Sequence, residues 1–325
     1  MTIAATDTSP RPPPLPRWMF APDALRGAAF VLYAVALYVV PAWAAVQLAG
    51  GHGAWWWRGP GLVALWLLAQ QGLHLLGFVG HEGFHLSLHP NKYVSAVVGV
   101  IASSLVFLFA QVGVALTHWA HHRYTNQPED PDLRLFARYQ TLGRRLLFGR
   151  MAANRSFAVN LVRIALHRPL PVANVGPFRR SHLRALAWLN IVTALVGVTG
   201  YGWLLVRAPR AALVGVVIPH ALGILLSGLR PYLEHAGTAI GLMKDTRTYS
   251  SPLMTVLFAG NNYHLEHHLY PSVPCHRLPA VHRHLRAAGY YAATGVAIEP
   301  TFWGALAHAR ARSRYPDPPP AAAHA

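Results

Sequence analysis

Cysteine is almost absent from this chain of 325 residues, which contains only Cys275. One cysteine excludes an internal disulfide, and it also excludes an iron–sulfur cluster held by four thiolates. Charged residues are scarce as well, at 12% of the sequence. Soluble domains carry about 25% charged residues, so the composition argues against a pair of soluble domains.

The sequence shows no glycine-rich nucleotide fingerprint, no internal repeat and no basic patch with interleaved aromatic residues. Acidic residues number 11 against 28 lysines and arginines, which gives a formal net charge of +17. In a membrane protein this excess is expected on the cytoplasmic side, next to anionic headgroups. We therefore expect a membrane partner and no nucleic-acid partner.

Long apolar runs occupy much of the chain, and hydrophobic residues make up 53% of it. A transmembrane helix needs about 20 apolar residues. Four runs are long enough: about 27–49, 61–80, 185–206 and 211–229. An even number of spans places both termini on one side. The arginine-rich segment 123–184 predicts that this side is the cytoplasm.

The ends of the chain differ from the middle. The start is rich in proline and lacks the charged-then-apolar pattern of a cleaved signal peptide. We expect disordered tails at residues 1–26 and 313–325, which flank a single membrane domain at 27–312.

Three histidine clusters separate or follow the apolar runs. HEGFH contains His81 and His85 at positions i and i+4. HWAHH and HLEHH each place histidines at i, i+3 and i+4, so that three imidazoles can share one helix face and converge on one point. The triplets are His118, His121 and His122, and then His264, His267 and His268. A single ion rarely takes more than four protein ligands, so eight imidazoles predict two ions, with iron, zinc, copper and nickel as candidates.

A further apolar run, about residues 94–117, lies between the first two clusters. It is long enough to span, but a spanning helix would place His81 and His118 on opposite sides of the membrane. A shared metal site therefore predicts that residues 86–117 are re-entrant or lie along the interface.

Two functions of other classes fit part of the pattern. HEGFH satisfies the HExxH pattern of zinc metalloproteases, in which Glu82 would be the general base, but this reading leaves both HxxHH triplets unused. A metal transporter would also place histidines inside spans, as His74 and His220 are here.

The three clusters, in the contexts HEGFH, HWAHH followed by TNQPEDPD, and NNYHLEHHLYPSVP, resemble the three histidine boxes of the membrane fatty acid desaturase superfamily. That superfamily also contains carotenoid hydroxylases and ketolases. The resemblance implies a di-iron centre on the cytoplasmic face of a four-helix membrane domain. It also implies dioxygen as co-substrate, an acyl or other lipid substrate, and electrons from a separate donor of the ferredoxin, rubredoxin or cytochrome b5 type.

The resemblance also implies roles for residues outside the boxes. His235 in RPYLEHAG matches a further histidine ligand that many relatives carry after the last span. Pro231 stands where stearoyl-type desaturases have an asparagine that holds a water on the metal. Asn261 or Asn262 could replace that asparagine, and the alternative is that no side chain replaces it. The acidic residues near the boxes are candidates to bind the second ring nitrogen of ligand histidines: Glu82, Asp130, Asp132 and Glu266.

The sequence thus predicts an all-α integral membrane protein with four transmembrane helices, a re-entrant or interfacial helical segment and a cytoplasmic cap that carries a di-iron site. The predicted function is an oxygen-dependent fatty acyl desaturase, in a bacterial inner membrane. A lipid or carotenoid hydroxylase or ketolase of the same superfamily is the alternative.

Overall fold

The structure is a computed structural model, which describes residues 10–139, 141–171, 176–296 and 298–311. Apart from one isolated bridge between Tyr249 and Glu299, these residues contain no β-structure. The helices are α1 Ala24–Gly50, α2 Trp55–Phe84, α3 Lys92–Ser103, α4 Gln111–Tyr124, α5 Pro131–Phe136, α6 Leu142–Arg144, α7 Arg150–Ala165, α8 Arg180–Arg207, α9 Pro209–His235, α10 Pro252–Leu257, α11 His264–Leu269, α12 Leu278–Ala287, α13 Tyr290–Thr294 and α14 Phe302–Ala311. The predicted all-α class is confirmed.

Four of these helices, α1, α2, α8 and α9, are long and apolar enough to cross a membrane. Only 11% of the most apolar window of α8 is buried within the protein. Apolar side chains such as Val196 and Trp203 are therefore left exposed, and a lipid environment accounts for that exposure. The prediction of four spans is confirmed, and the sides on which the loops lie stay a prediction.

The apolar stretch between the first two histidine clusters forms a hairpin of two short helices, as predicted. Helices α3 and α4 have 12 and 14 residues, and each is shorter than the roughly 20 residues that a span requires. Helix α3 packs closely on α2 where Gly83 faces Gly99. The approach needs glycine, because a Cβ added at Gly83 would lie 2.9 Å from Cα of Gly99.

The bend between α3 and α4 exposes backbone groups that a neighbouring span satisfies. Asn190 of α8 accepts a hydrogen bond from Val112 N (3.1 Å) and donates one to Phe109 O (3.0 Å). Tyr201 of α8 donates to Leu105 O at 2.6 Å. Non-helical backbone in an apolar environment needs such partners within the protein, so these bonds stabilise the bend between α3 and α4.

The remaining helices form a cap over the ends of α2 and α4. Phe136 and Phe157, from the arginine-rich segment, share a buried cluster with Leu116 of α4. Val281 of α12 packs in a second cluster with Val79 of α2. Both halves of the predicted cap, the arginine-rich segment and the C-terminal region, therefore rest on helices that carry histidines.

The predicted tails lie partly outside the described residues, namely at 1–9 and 313–325. The described part of the first tail, residues 10–26, contacts the cap: Pro10 O accepts a hydrogen bond from Tyr290 (2.9 Å), and Pro13 O accepts one from Tyr270 (2.5 Å). Two residues of this stretch thus bind side chains of the cap, and the disorder of the tails stays a prediction. The boundaries of the membrane domain stay a prediction.

The hairpin makes a testable topological prediction. In a Cys275→Ala background, Lys92→Cys and Glu129→Cys should react with an impermeant thiol reagent from the same side of the membrane. His52→Cys lies in the loop between α1 and α2, at the end of α2 away from His81. It should react from the other side. All three positions are exposed. Reaction of Lys92→Cys from the side of His52→Cys would show that residues 86–117 cross the membrane.

Candidate metal centre

Four helices bring the predicted histidines together. Helix α2 carries His81 and ends at its C-cap His85; α4 carries His118, His121 and His122; α9 ends at His235; and α11 carries His264, His267 and His268. All nine lie in two adjoining groups, and the rings of His122 and His268, one from each group, are 4.4 Å apart between centroids.

The first group contains five histidines whose ligand atoms all lie within 4.8 Å of one another: His81, His85, His118, His122 and His267. Nε2 of His118 is 3.0 Å from Nε2 of His85 and 2.9 Å from Nε2 of His122. Nε2 of His267 is 3.0 Å from Nε2 of His122. Two nitrogens bound to one metal at about 2.1 Å and at right angles would be about 3.0 Å apart, so this spacing fits a shared ion.

The second group contains His121, His235, His264 and His268. The ligand atoms of His121, His235 and His268 lie within 4.8 Å of one another. Nε2 of His264 is 3.0 Å from Nε2 of His235. Nε2 of His268 is buried and has no hydrogen-bond partner among the described residues. A buried nitrogen without a partner is costly unless a ligand satisfies it, which also fits a metal.

The structure corrects one expectation about the HxxHH triplets, which do not converge on one point. In α4, His118 and His122 belong to the first group and His121 to the second. At about 100° per residue, positions i and i+4 lie about 40° apart around a helix, while i+3 and i+4 lie about 100° apart. In α11, His264 likewise lies with His268 in the second group, and His267 belongs to the first. Each triplet therefore contributes to both groups.

Burial keeps the ring nitrogens of His85, His122 and His267 available as ligands. It lowers the pKa of His85 to about 3 and the pKa values of His122 and His267 well below their ordinary range. These imidazoles are neutral at physiological pH, as a metal ligand must be. Burial also acts to lower the pKa of His121, but the carboxylate of Asp130 outweighs it and raises that pKa to about 9.

Asp130 occupies the position that the sequence predicts for a partner of a ligand. Nδ1 of His121 lies 3.0 and 3.1 Å from its two carboxylate oxygens. The same carboxylate accepts from Asp132 N at 2.9 Å and caps α5, so the capping role and the histidine contact coexist. Asp132 is more distant, with 3.9 Å between its Oδ2 and Nδ1 of His121, which is beyond hydrogen-bond distance.

Glu82 is 1% exposed, and both of its carboxylate oxygens are occupied. Oε1 lies 3.2 Å from Nδ1 of His81, and Oε2 accepts from Ser87 Oγ (2.7 Å) and Cys275 N (2.9 Å). A general base of a metalloprotease needs a free face towards a metal-bound water. This environment therefore argues against the metalloprotease hypothesis. It agrees with a role for Glu82 in orienting His81.

Glu266 contacts other residues than the sequence predicts. Its carboxylate accepts hydrogen bonds at 2.5 Å from Thr248 Oγ1, His282 Nδ1 and Tyr291 OH. None of these donors is one of the nine clustered histidines. Two positions after His264, Glu266 points about 200° away around α11, so it joins that helix to α12 and α13.

The two predicted asparagines bind neighbouring backbone groups. Nδ2 of Asn261 donates to Phe258 O at 3.2 Å, and Nδ2 of Asn262 donates to Tyr249 O at 2.7 Å. Neither contact involves a clustered histidine, and a water-mediated role for them stays a prediction. Glu234, for which the sequence predicts no role, forms a compact group with His235 and His264. Its place beside His235 in RPYLEH was the signal.

Four membrane-length helices, two of which end at histidines of two adjoining buried or half-buried groups, define an integral membrane protein with a candidate metal centre. Comparison with protein-family models matches residues 60–299 to the fatty acid desaturase family, and the chain belongs to that family. The resemblance found in the three histidine clusters is thereby confirmed. A comparison with curated proteins found no match.

Proposed function

We propose that this protein is an oxygen-dependent di-iron oxidoreductase that introduces a double bond into the acyl chain of a lipid. The observation that carries this proposal is the arrangement of nine histidines in two adjoining groups, in a membrane protein of the fatty acid desaturase family. The first group offers five nitrogens to one iron and the second offers four to the other. Bound iron, with dioxygen and two electrons, supplies the oxidising power to remove hydrogen from an unactivated acyl C–H bond.

The protein's own part is to fix the imidazoles and to exclude water. Nδ1 of His121 faces Asp130, and Nδ1 of His235 lies 3.0 Å from Asp245 O. These contacts direct each Nε2 towards the second group and fix the tautomer. Such support also keeps the rings in place while iron is absent.

The side of the first group that faces the spans is mainly aromatic, and it includes one buried cation, because the guanidinium of Arg230 lies 3.7 Å from the centroid of the Phe78 ring. The ring of Phe78 lies 5.1 Å from that of His81, and His74 packs between Phe78 and Phe258 at 5.1 and 5.9 Å. We place the acyl methylenes along this surface, because apolar walls with few polar groups suit a lipid chain.

We further propose that the metal centre and both termini face the cytoplasm of a bacterial cell, where an acidic electron donor docks. Nine arginines are exposed in the segment before α8 and within its first turns: Arg123, Arg138, Arg144, Arg155, Arg163, Arg168, Arg179, Arg180 and Arg184. A surface of one charge accelerates association with a partner of opposite charge. A ferredoxin, rubredoxin or cytochrome b5 type of donor meets this requirement.

The test is a comparison of host lipids with and without the expressed protein. We expect mass spectrometry to detect acyl chains lighter by two hydrogens, and a His118→Ala variant expressed at the same level should not form them. Products heavier by one oxygen would assign the protein to the hydroxylases instead. Changes confined to carotenoids would assign it to the carotenoid-modifying members of the superfamily.

A further inference from the structure

The side chain of Glu234 lies against the second histidine group and is 3% exposed. Its Oε2 is 3.4 Å from Nε2 of His264. The potential ligand atoms of Glu234, His235 and His264 all lie within 4.8 Å of one another. A carboxylate oxygen thus faces the nitrogens that the proposed function assigns to the second iron.

Arg230 occupies only one side of this carboxylate. Its Nε donates to Oε1 of Glu234, one helical turn away, at 2.6 Å. Its Nη2 donates to Asn261 O, also at 2.6 Å. A purely structural pair would favour the bidentate arrangement, in which the guanidinium binds both carboxylate oxygens. Here Oε2 is directed to the histidines instead.

The number of donors also distinguishes the two groups. The first group contains five imidazoles, whereas the second contains four. One carboxylate oxygen would bring the second group to five donors. Combined imidazole and carboxylate ligation is a known preference of non-haem iron. The side chain of Arg230 is also buried, at 4% exposed, and its positive charge balances the negative charge that Glu234 brings into this site.

We propose that Glu234 is an oxygen ligand of the second iron, through Oε2 directly or through one water, and that Arg230 is the positioning residue that holds its other oxygen. The two irons then differ: one is bound by nitrogen alone, and the other by four nitrogens and one oxygen. This inference rests on the proposed di-iron function. It gives the second metal an oxygen donor, whereas the sequence alone left the last coordination position to Asn261, to Asn262 or to no side chain.

The test measures iron content and the Mössbauer spectrum of purified protein enriched in ⁵⁷Fe. Wild-type protein should hold two irons per chain with two distinct signals. Glu234→Gln should lose one iron, or change one signal and leave the other in place. Glu129→Gln is the matched control, because Glu129 lies on an exposed loop near the second histidine box.

A double variant separates ligation from a structural role. Glu234→Gln leaves Arg230 as an unpaired buried charge, which by itself could prevent folding. Arg230→Met combined with Glu234→Gln removes both charges and should restore the fold. If Glu234 is a ligand, the folded double variant still lacks the second iron or its signal. Two irons with wild-type signals in either variant would overturn the inference, whereas wild-type protein without two irons would overturn the proposed function.

Discussion

Replacement of His122 or His267 by alanine should remove iron from the first group and abolish product formation. Each residue supplies an Nε2 that lies 3.0 Å from the other's Nε2. Loss of a residue that merely orients a ligand typically costs about 10–100-fold in metal affinity or activity, so we expect the loss of a ligand to cost at least about 100-fold. Iron content by mass spectrometry and desaturated product, measured on the same sample, check this result.

His89→Ala is the matched control for these variants. His89 extends the first box by another step of four residues, but the sequence predicts only a surface or packing role for it. In the structure its Nδ1 lies 2.9 Å from Asn91 N, and the residue belongs to neither histidine group. We expect wild-type iron content and activity. Loss of iron from His89→Ala, as expected for His122→Ala, would show that His89 belongs to the first histidine group.

The sequence predicts most of the fold because a helix that crosses a bilayer needs a long apolar run, which is visible in the sequence. The four spans follow from run length, and the re-entrant hairpin follows from the condition that His85 and His118 share a site. That condition is met, since their Nε2 atoms are 3.0 Å apart. The bonds of Asn190 that make the bend possible could not be foreseen, because they join residues far apart in the chain.

The candidate site was predictable to the level of residue type and less so to the level of partners. Histidine spacing identifies eight of the nine histidines that meet, and the family resemblance adds His235. The division of each HxxHH triplet between two groups depends on helix orientation, which a one-dimensional pattern does not contain. The partners of carboxylates are harder still. Asp130 faces His121 as expected, whereas Glu266, inside a histidine box, faces residues of the C-terminal helices.

Removal of the Glu266 side chain is expected to destabilise the protein severely without displacing iron at low temperature. Glu266→Ala leaves Thr248, His282 and Tyr291 without the acceptor that each reaches at 2.5 Å. Breaking a buried pair by removing one partner costs about 3–5 kcal/mol. Thermal unfolding in detergent should show a melting temperature far below that of the wild type.

Glu299→Ala is the control for that cost, because Glu299 forms the same kind of pair in a more exposed place. Its Oε1 lies 2.8 Å from Nδ1 of His308, whose side chain is 27% exposed. A pair that solvent partly screens contributes less than a fully buried one, so this variant should melt closer to the wild type than Glu266→Ala. Equal melting temperatures for the two variants would contradict a structural role for the Glu266 carboxylate.

Iron content measured well below the melting temperature decides what Glu266 does. A carboxylate that orients a ligand histidine should lose iron when it is removed, even while the protein remains folded. A carboxylate that only ties α11 to α12 and α13 should leave both irons bound until the protein unfolds. The contacts with His282 and Tyr291 favour the second result. We therefore expect iron loss from Glu266→Ala to coincide with unfolding, whereas His267→Ala should lack the iron of the first group at every temperature.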